Sequence, residues 1–311
     1  MNTSKTTPKD FFLWAGAVIT LYISIIAFIN LLFSYINYAF PDALNNYYAN
    51  PYDSGVSYWM AAFIIFGAAA IGLLRYIHSL IAKDPSRGEI WVRRWALYLT
   101  IFIAGLTILG DLVALLHAFL SGDDITTRFL LKVAVVLLVA AGVFMHFLAD
   151  VWGYWAAEPR RANSVAIAVG LVGICTIAAG FFIIGTPWQA RQYRIDEQRV
   201  SDLQNLQSEI LSFYQQKQAL PTTLDQLKDP TLYYTVPVDP VTGAEYEYIK
   251  DADLGFELCA TFSSDSYATD SRIPASPAEY GVRGDQNWQH GSGRVCFVRS
   301  IDPDFFPPTN K

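Results

Sequence analysis

The sequence predicts a membrane all-α part, a four-helix unit plus a fifth transmembrane helix, followed by an α+β extracytoplasmic domain in which a long helix packs on a small antiparallel sheet. Three observations predict it. Residues 11–186 carry five long apolar segments, residues 187–311 are polar and acidic, and two of the three cysteines, Cys259 and Cys296, fall in the polar part. The predicted organisation is a four-helix transmembrane domain over 1–158, a fifth transmembrane helix with a basic linker over 159–187, and an exported domain over 188–311.

With 53% hydrophobic and 16% charged residues and a mean hydropathy of +0.26, the chain is too apolar for an ordinary soluble domain of this length. The average hides a mixture. Residues 1–186 hold 11 basic and 10 acidic side chains, and residues 187–311 hold 11 basic and 18 acidic ones. The net charge of -6 therefore comes mainly from the tail, which argues against nucleic acid as a partner.

A spanning helix needs roughly 20 apolar residues. Five segments qualify: Phe11 to Phe33, Val56 to Leu80, Ala96 to Leu120, Phe129 to Leu148 and Ser164 to Gly185. Short basic loops stay cytoplasmic. Lys5 and Lys9 at the start, Lys83, Arg87, Arg93 and Arg94 in the second connection, and Arg160 and Arg161 in the fourth therefore belong inside. The first connection, Pro41 to Gly55, has Asp42 and Asp53 and no Lys or Arg, and the third has Asp123 and Asp124 before Arg128. These belong outside. Five crossings from an inside start put the C-terminal domain outside a bacterial cytoplasmic membrane, with the lipid bilayer as the first partner. The first apolar stretch is too long for a cleavable signal peptide and is expected to act as a signal anchor.

Cysteine placement gives the same orientation. Cys175 lies inside the fifth span, where a lone thiol packs as a small apolar group. Cys259 and Cys296 in an oxidising compartment form, most simply, a disulfide worth about 3–4 kcal/mol in the chain-entropy model. A redox role would want a close Cys-x-x-Cys, which is absent, and zinc finds only His290 near either cysteine in sequence.

In the tail, Ile195, Val200, Leu203, Leu206, Ile210, Phe213 and Tyr214 recur at helical spacings with Arg, Asp, Glu and Gln between them, which predicts an amphipathic helix over Gln189 to Leu220. Pro187 is expected to kink the chain where it leaves the fifth span. Period-two patterns predict strands at Ala244 to Ile249, Phe256 to Phe262 and Arg294 to Arg299. Phe256, Leu258, Ala260 and Phe262 share one face, so Cys259 points to the other and is free to reach Cys296. Ser263 to Asn287 reads as a loop held at its base by that bridge.

The order of membrane helix, amphipathic helix, LPTTLDQL at 220–227 and VPVDPVTGAEYEY at 236–248 resembles the type IV pilin and type II secretion pseudopilin layout. Leu220, Pro221, Asp239, Pro240, Gly243, Tyr246 and Tyr248 match its Leu-Pro turn, its Asp-Pro-x-x-Gly turn and its Tyr-x-Tyr strand. The resemblance covers about the last 145 residues and implies a long helix on a small antiparallel sheet. Pilins are cut after a glycine ahead of a Phe and a Glu, whereas the fifth span has no Glu and follows Arg160, Arg161, Ala162 and Asn163. The expectation is a tethered binding module, with an envelope, pilus or secretion-system protein or a surface polymer as its partner.

The first 155 residues resemble an uncharacterised bacterial four-helix membrane protein family, a domain of unknown function, through residues 8–42 and 100–132. That resemblance supports the four-helix unit and implies no chemistry.

Within the unit Asp111 and Lys132 stand out, because a charge in hydrocarbon is expensive unless paired or hydrated. They lie about 15 and 10 Å from the loop between Ser121 and Ile125 at a helical rise of about 1.5 Å per residue, near enough to pair. The pair reads either as an ion relay with His117 or Arg128, the basis of a transporter or channel, or as an ion pair fixing the hairpin, with Asn30 bonding inside the bundle. A transporter more often shows broken helices or an internal repeat, and neither is visible in the sequence.

Arg75, His78 and His146 are expected to snorkel to headgroups, and Trp14, Trp59, Trp91, Trp95, Trp152 and Trp155 to form an aromatic belt. Asp265 and Asp270 read either as part of a calcium site in a surface loop or as solvated loop acids, and the second is favoured because two carboxylates fall short of the oxygens a calcium ion takes. Trp288 and His290 read either as a recognition patch or as aromatic packing beside a Gly turn, and an enzyme built on His290 and nearby acids is the remotest reading. The sequence predicts no catalytic residues, no metal and no cofactor, and a binding or envelope-assembly role.

Overall fold

The computed structural model describes residues 6–40, 52, 55–228, 234–251, 254–266, 282–283 and 288–307. Most of the first connection, most of the loop 263–287 and Asp270 lie outside the described residues. The chain divides into two compact units, Met1–Ile184 and Gly185–Lys311.

The first unit holds α1 (Pro8–Ala39), α2 (Val56–Lys83), α3 (Trp91–Ser121), α4 (Thr127–Val151), a one-turn α5 (Tyr154–Ala157) and α6 (Pro159–Ile184). α1 to α4 and α6 are long and apolar enough to cross a membrane. They outrun the apolar windows because capping chemistry sets where a helix ends. Thr7 and Asp10 form a reciprocal capping box ahead of Pro8, and Thr126 accepts the Phe129 N–H at the start of α4.

α1 and α2 run antiparallel, with Gly67 against the Ser24 hydroxyl and Gly16 against Leu73. α3 and α4 form a second antiparallel hairpin in which Gly105 faces the Phe144 ring, and Arg93 reaches Asp150 at 3.1 Å. Tyr22 and Thr100 hydroxyls, 3.0 Å apart, tie α1 to α3. At the other end of α1, Asn37 accepts from Arg128 of α4 at 2.9 Å. α6 docks through Tyr35, whose hydroxyl donates to the Thr176 carbonyl at 2.8 Å, and through Gly180, which lies under Tyr35 and Met60. Small residues let helices approach this closely.

The end bearing Pro8 is closed by Trp14, Ala17, Ile77, Ile90 and Val92. Trp14 is therefore a packing residue and leaves the expected belt, whereas Trp91, Trp95 and Trp152 are exposed. Asp10 is buried beside them and accepts from Arg87 at 3.0 Å.

The second unit begins with α7 (Pro187–Lys217). Pro187 does not kink a continuous helix. Gly185 takes φ +74, Thr186 caps with Gln189, and Pro187 occupies the first helical turn, where its missing N–H costs nothing. Gln218, at φ 52, ends the helix by returning its N–H to the Tyr214 carbonyl.

The sheet comprises β1 (Glu247–Lys250), β2 (Gly255–Phe262), β3 (Val282–Arg283) and β4 (Gly293–Ile301), antiparallel throughout in the order β1-β2-β4-β3. Three strands carry it, and β3 adds two residues from the expected loop. The first strand starts later than expected because Ala244 closes the preceding turn onto the Asp239 N–H at 2.8 Å. Leu203, Leu206 and Ile210 of α7 pack with Phe256, Leu258 and Phe262 of β2 and with Phe297 and Ile301 of β4 in one apolar core.

Candidate functional site

The face that α7 turns inward changes character along its length. Its later turns are apolar, but Asp196, Arg199 and Asp202, each three residues from the next, share the earlier part of the same face and are buried, at 1%, 5% and 7% exposure. Arg199 forks between two carboxylates, reaching Asp196 at 2.8 Å and Asp239 at 2.6 and 3.3 Å. Asp196 also accepts the Ser263 and Ser264 N–H groups and the Ser264 hydroxyl at 2.8–3.0 Å. Asp202 accepts the Tyr246 hydroxyl at 2.7 Å and the Gln198 amide at 2.8 Å.

These bonds tie the helix to the turn before β1 and to the chain leaving β2. Burial pushes the Asp239 carboxyl up, but hydrogen bonds from Arg199 and from the Thr242 and Val241 N–H groups outweigh it and hold the group down at about 2. Burial and the bond to Asp202 push the Tyr246 phenol far up. The helical pattern placed these charges between the apolar residues, as a solvated face. No motif in the sequence marked Asp239 as the partner of Arg199.

Cys259 and Cys296 form a disulfide between directly opposed residues of β2 and β4. Cys259 faces away from α7 yet is only 1% exposed, because the Arg294–Glu247 pair lies over it. Arg294 stands 2.6 Å from Glu247 and 3.6 Å from the Cys259 sulfur. Glu257 lies close enough to both sulfurs to join them around a metal ion, but the bridge consumes both thiolates and leaves one carboxylate. Asp265 accepts the Ser292 N–H at 2.8 Å, so it pins the chain entering β4.

Trp288 and His290 do not form an exposed patch. His290 is 7% exposed, stacks on Phe262 at 3.6 Å and has Nδ1 3.3 Å from the Gly291 carbonyl. Trp288 packs 4.7 Å from Phe297 and carries the Arg299 guanidinium over its ring at 4.5 Å. Alternation along β4 points Phe297 and Arg299 to the core side, and both rings follow them there.

In the first unit Asp111 and Lys132 do not pair. Gly105 faces Phe144, so Asp111, six residues on, lies level with Leu138, and Lys132 is six residues, about 9 Å, further along α4. Lys132 also turns toward α1, with its ammonium over the Phe33 ring at 5.5 Å. Asp111 keeps one carboxylate oxygen buried with no hydrogen-bond partner among the described residues. Asn30 turns its amide back onto its own helix, donating to Ile26 at 2.8 Å.

Residues 10–147 match the family described as Domain of unknown function (DUF5671). The DUF5671 match covers α1 to α3 and most of α4, and leaves α6 and the whole second unit outside. No curated protein matches the chain, and no solved structure does.

Proposed function

We propose that this chain is a multi-pass protein of a bacterial cytoplasmic membrane that presents its second unit on the extracytoplasmic side as a tethered, non-catalytic module, which binds an envelope protein or a surface polymer. One observation carries the reading: five apolar helices with little of their surface covered are followed in the chain by a polar unit with a core of its own. Phe182 at 91% exposure suits lipid, not water. The charges of the connecting segments favour an inside N-terminus and an outside C-terminal unit. A long helix followed by a Leu220–Pro221 turn, an Asp239–Gly243 turn and an antiparallel sheet supports a pilin-like module.

Thiol labelling of Cys259 and Cys296 in intact cells tests this. Reactivity that appears only after a membrane-impermeant reductant supports both the bridge and the outside location. Labelling without reduction removes the bridge, and labelling only in lysed cells inverts the topology.

A second reading, a small transporter or channel, rests on Asp111, whose buried oxygen has no partner among the described residues. Asp111→Asn that folds normally but abolishes a solute or proton flux decides for it.

A further inference from the structure

We propose that the Cys259–Cys296 bridge is a thiol–disulfide exchange site, which a dithiol-bearing protein enters at Cys296 and from which Cys259 departs as the thiolate. This goes beyond the binding role above and does not depend on the topology, which decides only the compartment of the dithiol. The chain supplies the disulfide and the partner the dithiol, so no Cys-x-x-Cys is needed on this side of the exchange.

The two sulfurs are not equivalent. Cys259 is 1% exposed, whereas Cys296, directly opposite it, is only half-buried. Exchange proceeds by attack of a thiolate on one sulfur and expulsion of the other, so access selects Cys296 as the sulfur attacked. A thiolate expelled into apolar surroundings leaves badly, and one beside a guanidinium leaves well. Arg294 donates from Nη2 to the Cys259 sulfur at 3.6 Å, so the buried sulfur that must take the negative charge already has its cation.

Glu257, on the same face of β2 as Cys259, has its carboxylate within 4.8 Å of both sulfurs and opposes the arrival of an anionic thiolate. Arg294 and Glu257 therefore act on the rate in opposite directions. One row along from the bridge, Ile249 and Val298 flank Glu257 in register and are exposed, which gives an incoming chain apolar surface beside the attacked sulfur. β2 and β4 pair continuously from Gly255–Ser300 to Phe262–Gly293, so the bridge can open without parting the strands.

The exchange balances in two steps. The partner's thiolate bonds to Cys296 Sγ as the bond to Cys259 breaks, and the electron pair stays on Cys259 Sγ, which then takes a proton from water. The partner's second thiolate attacks its own sulfur in the mixed disulfide and expels Cys296, which is protonated in turn. The bridge gains two electrons and two protons, and the dithiol becomes a disulfide.

The full-length protein in phosphatidylcholine nanodiscs, with Cys175→Ser to remove the third thiol, is treated with 2-mercaptoethanol and quenched with N-ethylmaleimide, and the adducts are placed by mass spectrometry. Reduction by dithiothreitol is timed separately. The expected result is a mixed disulfide on Cys296 with alkylation at Cys259. Arg294→Gln slows reduction roughly threefold, the size that an exposed charge interaction supports, Arg294→Lys keeps most of the rate, and Glu257→Gln raises it.

A mixed disulfide on Cys259, or shared equally, overturns the proposal. So does a rate that Arg294→Gln raises or leaves unchanged, which makes the guanidinium a mere cover, and so does a bridge that is reduced only when the second unit unfolds. Wild-type hydrogen-exchange protection over residues 255–262 and 293–301 shows that Arg294→Gln is folded. Where that protection is lost, the adduct position and the Glu257→Gln rate decide.

Discussion

Arg199 on α7 donates through Nε to Oδ2 of Asp239 at 2.6 Å, so a helix and a turn forty residues later share one buried ion pair. The same guanidinium holds Asp196, which collects the N–H groups of Ser263 and Ser264. One cation therefore compensates two carboxylates that the fold has taken out of water. Removing it leaves both uncompensated, the expensive way to break a buried pair.

Arg199→Met is expected to destabilise the second unit by about 3–5 kcal/mol. Arg199→Lys recovers only part of this, since an ammonium cannot fork between Asp196 and Asp239 as a guanidinium does. Hydrogen exchange of the full-length protein checks the expectation: peptides over residues 239–248 and 261–266 lose protection together. Loss at one segment alone contradicts the shared-cation account.

The same pair fixes an acid limit. The Asp239 carboxyl is held at about 2 in the fold, below its unfolded value, so it binds a proton less readily when folded. Its contribution is complete above the unfolded value, near 4, and is lost as the pH falls through about 2. Unfolding followed from pH 5 down to pH 2 should show stability falling with a slope that is reduced in Asp239→Asn. An unchanged slope in that variant assigns the acid sensitivity to other groups.

How much of this was legible in the sequence depended on the kind of signal. Apolar windows placed α1 to α4 and α6, and the alternation of Phe256, Leu258, Ala260 and Phe262 placed β2 and the facing of Cys259. Helix ends were less legible, because Thr7–Asp10 and Thr186–Gln189 are capping events outside the apolar pattern. The clamp was missed for a physical reason: helical spacing gives the angle of a residue, and Asp196 and Arg199 are polar residues at core angles whose partners lie 40 to 68 residues away. The Asp111–Lys132 pairing failed similarly. Depth from the loop was used without the hairpin register that Gly105 and Phe144 set, and without the rotation that turns Lys132 toward Phe33.

Two tyrosines with buried hydroxyls should respond oppositely to loss of that group. Tyr246 donates to buried Asp202 at 2.7 Å, so Tyr246→Phe strands that carboxylate and costs about 1–3 kcal/mol. The Tyr234 hydroxyl is buried with no hydrogen-bond partner among the described residues, so Tyr234→Phe removes a desolvated group and leaves stability unchanged or slightly raised. Denaturant midpoints of the two variants, measured side by side, give the sign of each. A loss in Tyr234→Phe as large as in Tyr246→Phe points to a partner for Tyr234 that this arrangement lacks.

Docking of α6 is the last relationship open to a direct test. This helix lies outside the stretch that matches DUF5671, and it is the element that joins the first unit to the chain of the second. Its contact depends on Gly180, where an added Cβ would come within 2.7 Å of the Tyr35 hydroxyl and 2.8 Å of the Met60 sulfur. A leucine there drives both side chains off their positions and threatens the Tyr35 bond to the Thr176 carbonyl, at a cost of about 1–3 kcal/mol for overpacking. Gly170 lies ten residues earlier on the same helix and has nothing within 4 Å of an added Cβ. A cysteine pair at Phe63 and Gly173, with Cys175→Ser to remove the native thiol, reports the docked state by oxidative cross-linking. Gly180→Leu is expected to reduce the cross-link severalfold, and Gly170→Leu to leave it intact, because the first side chain enters a packed contact and the second enters the surroundings of the unit. Equal cross-linking in both variants would mean that α6 is held by something other than the Tyr35–Met60–Gly180 contact.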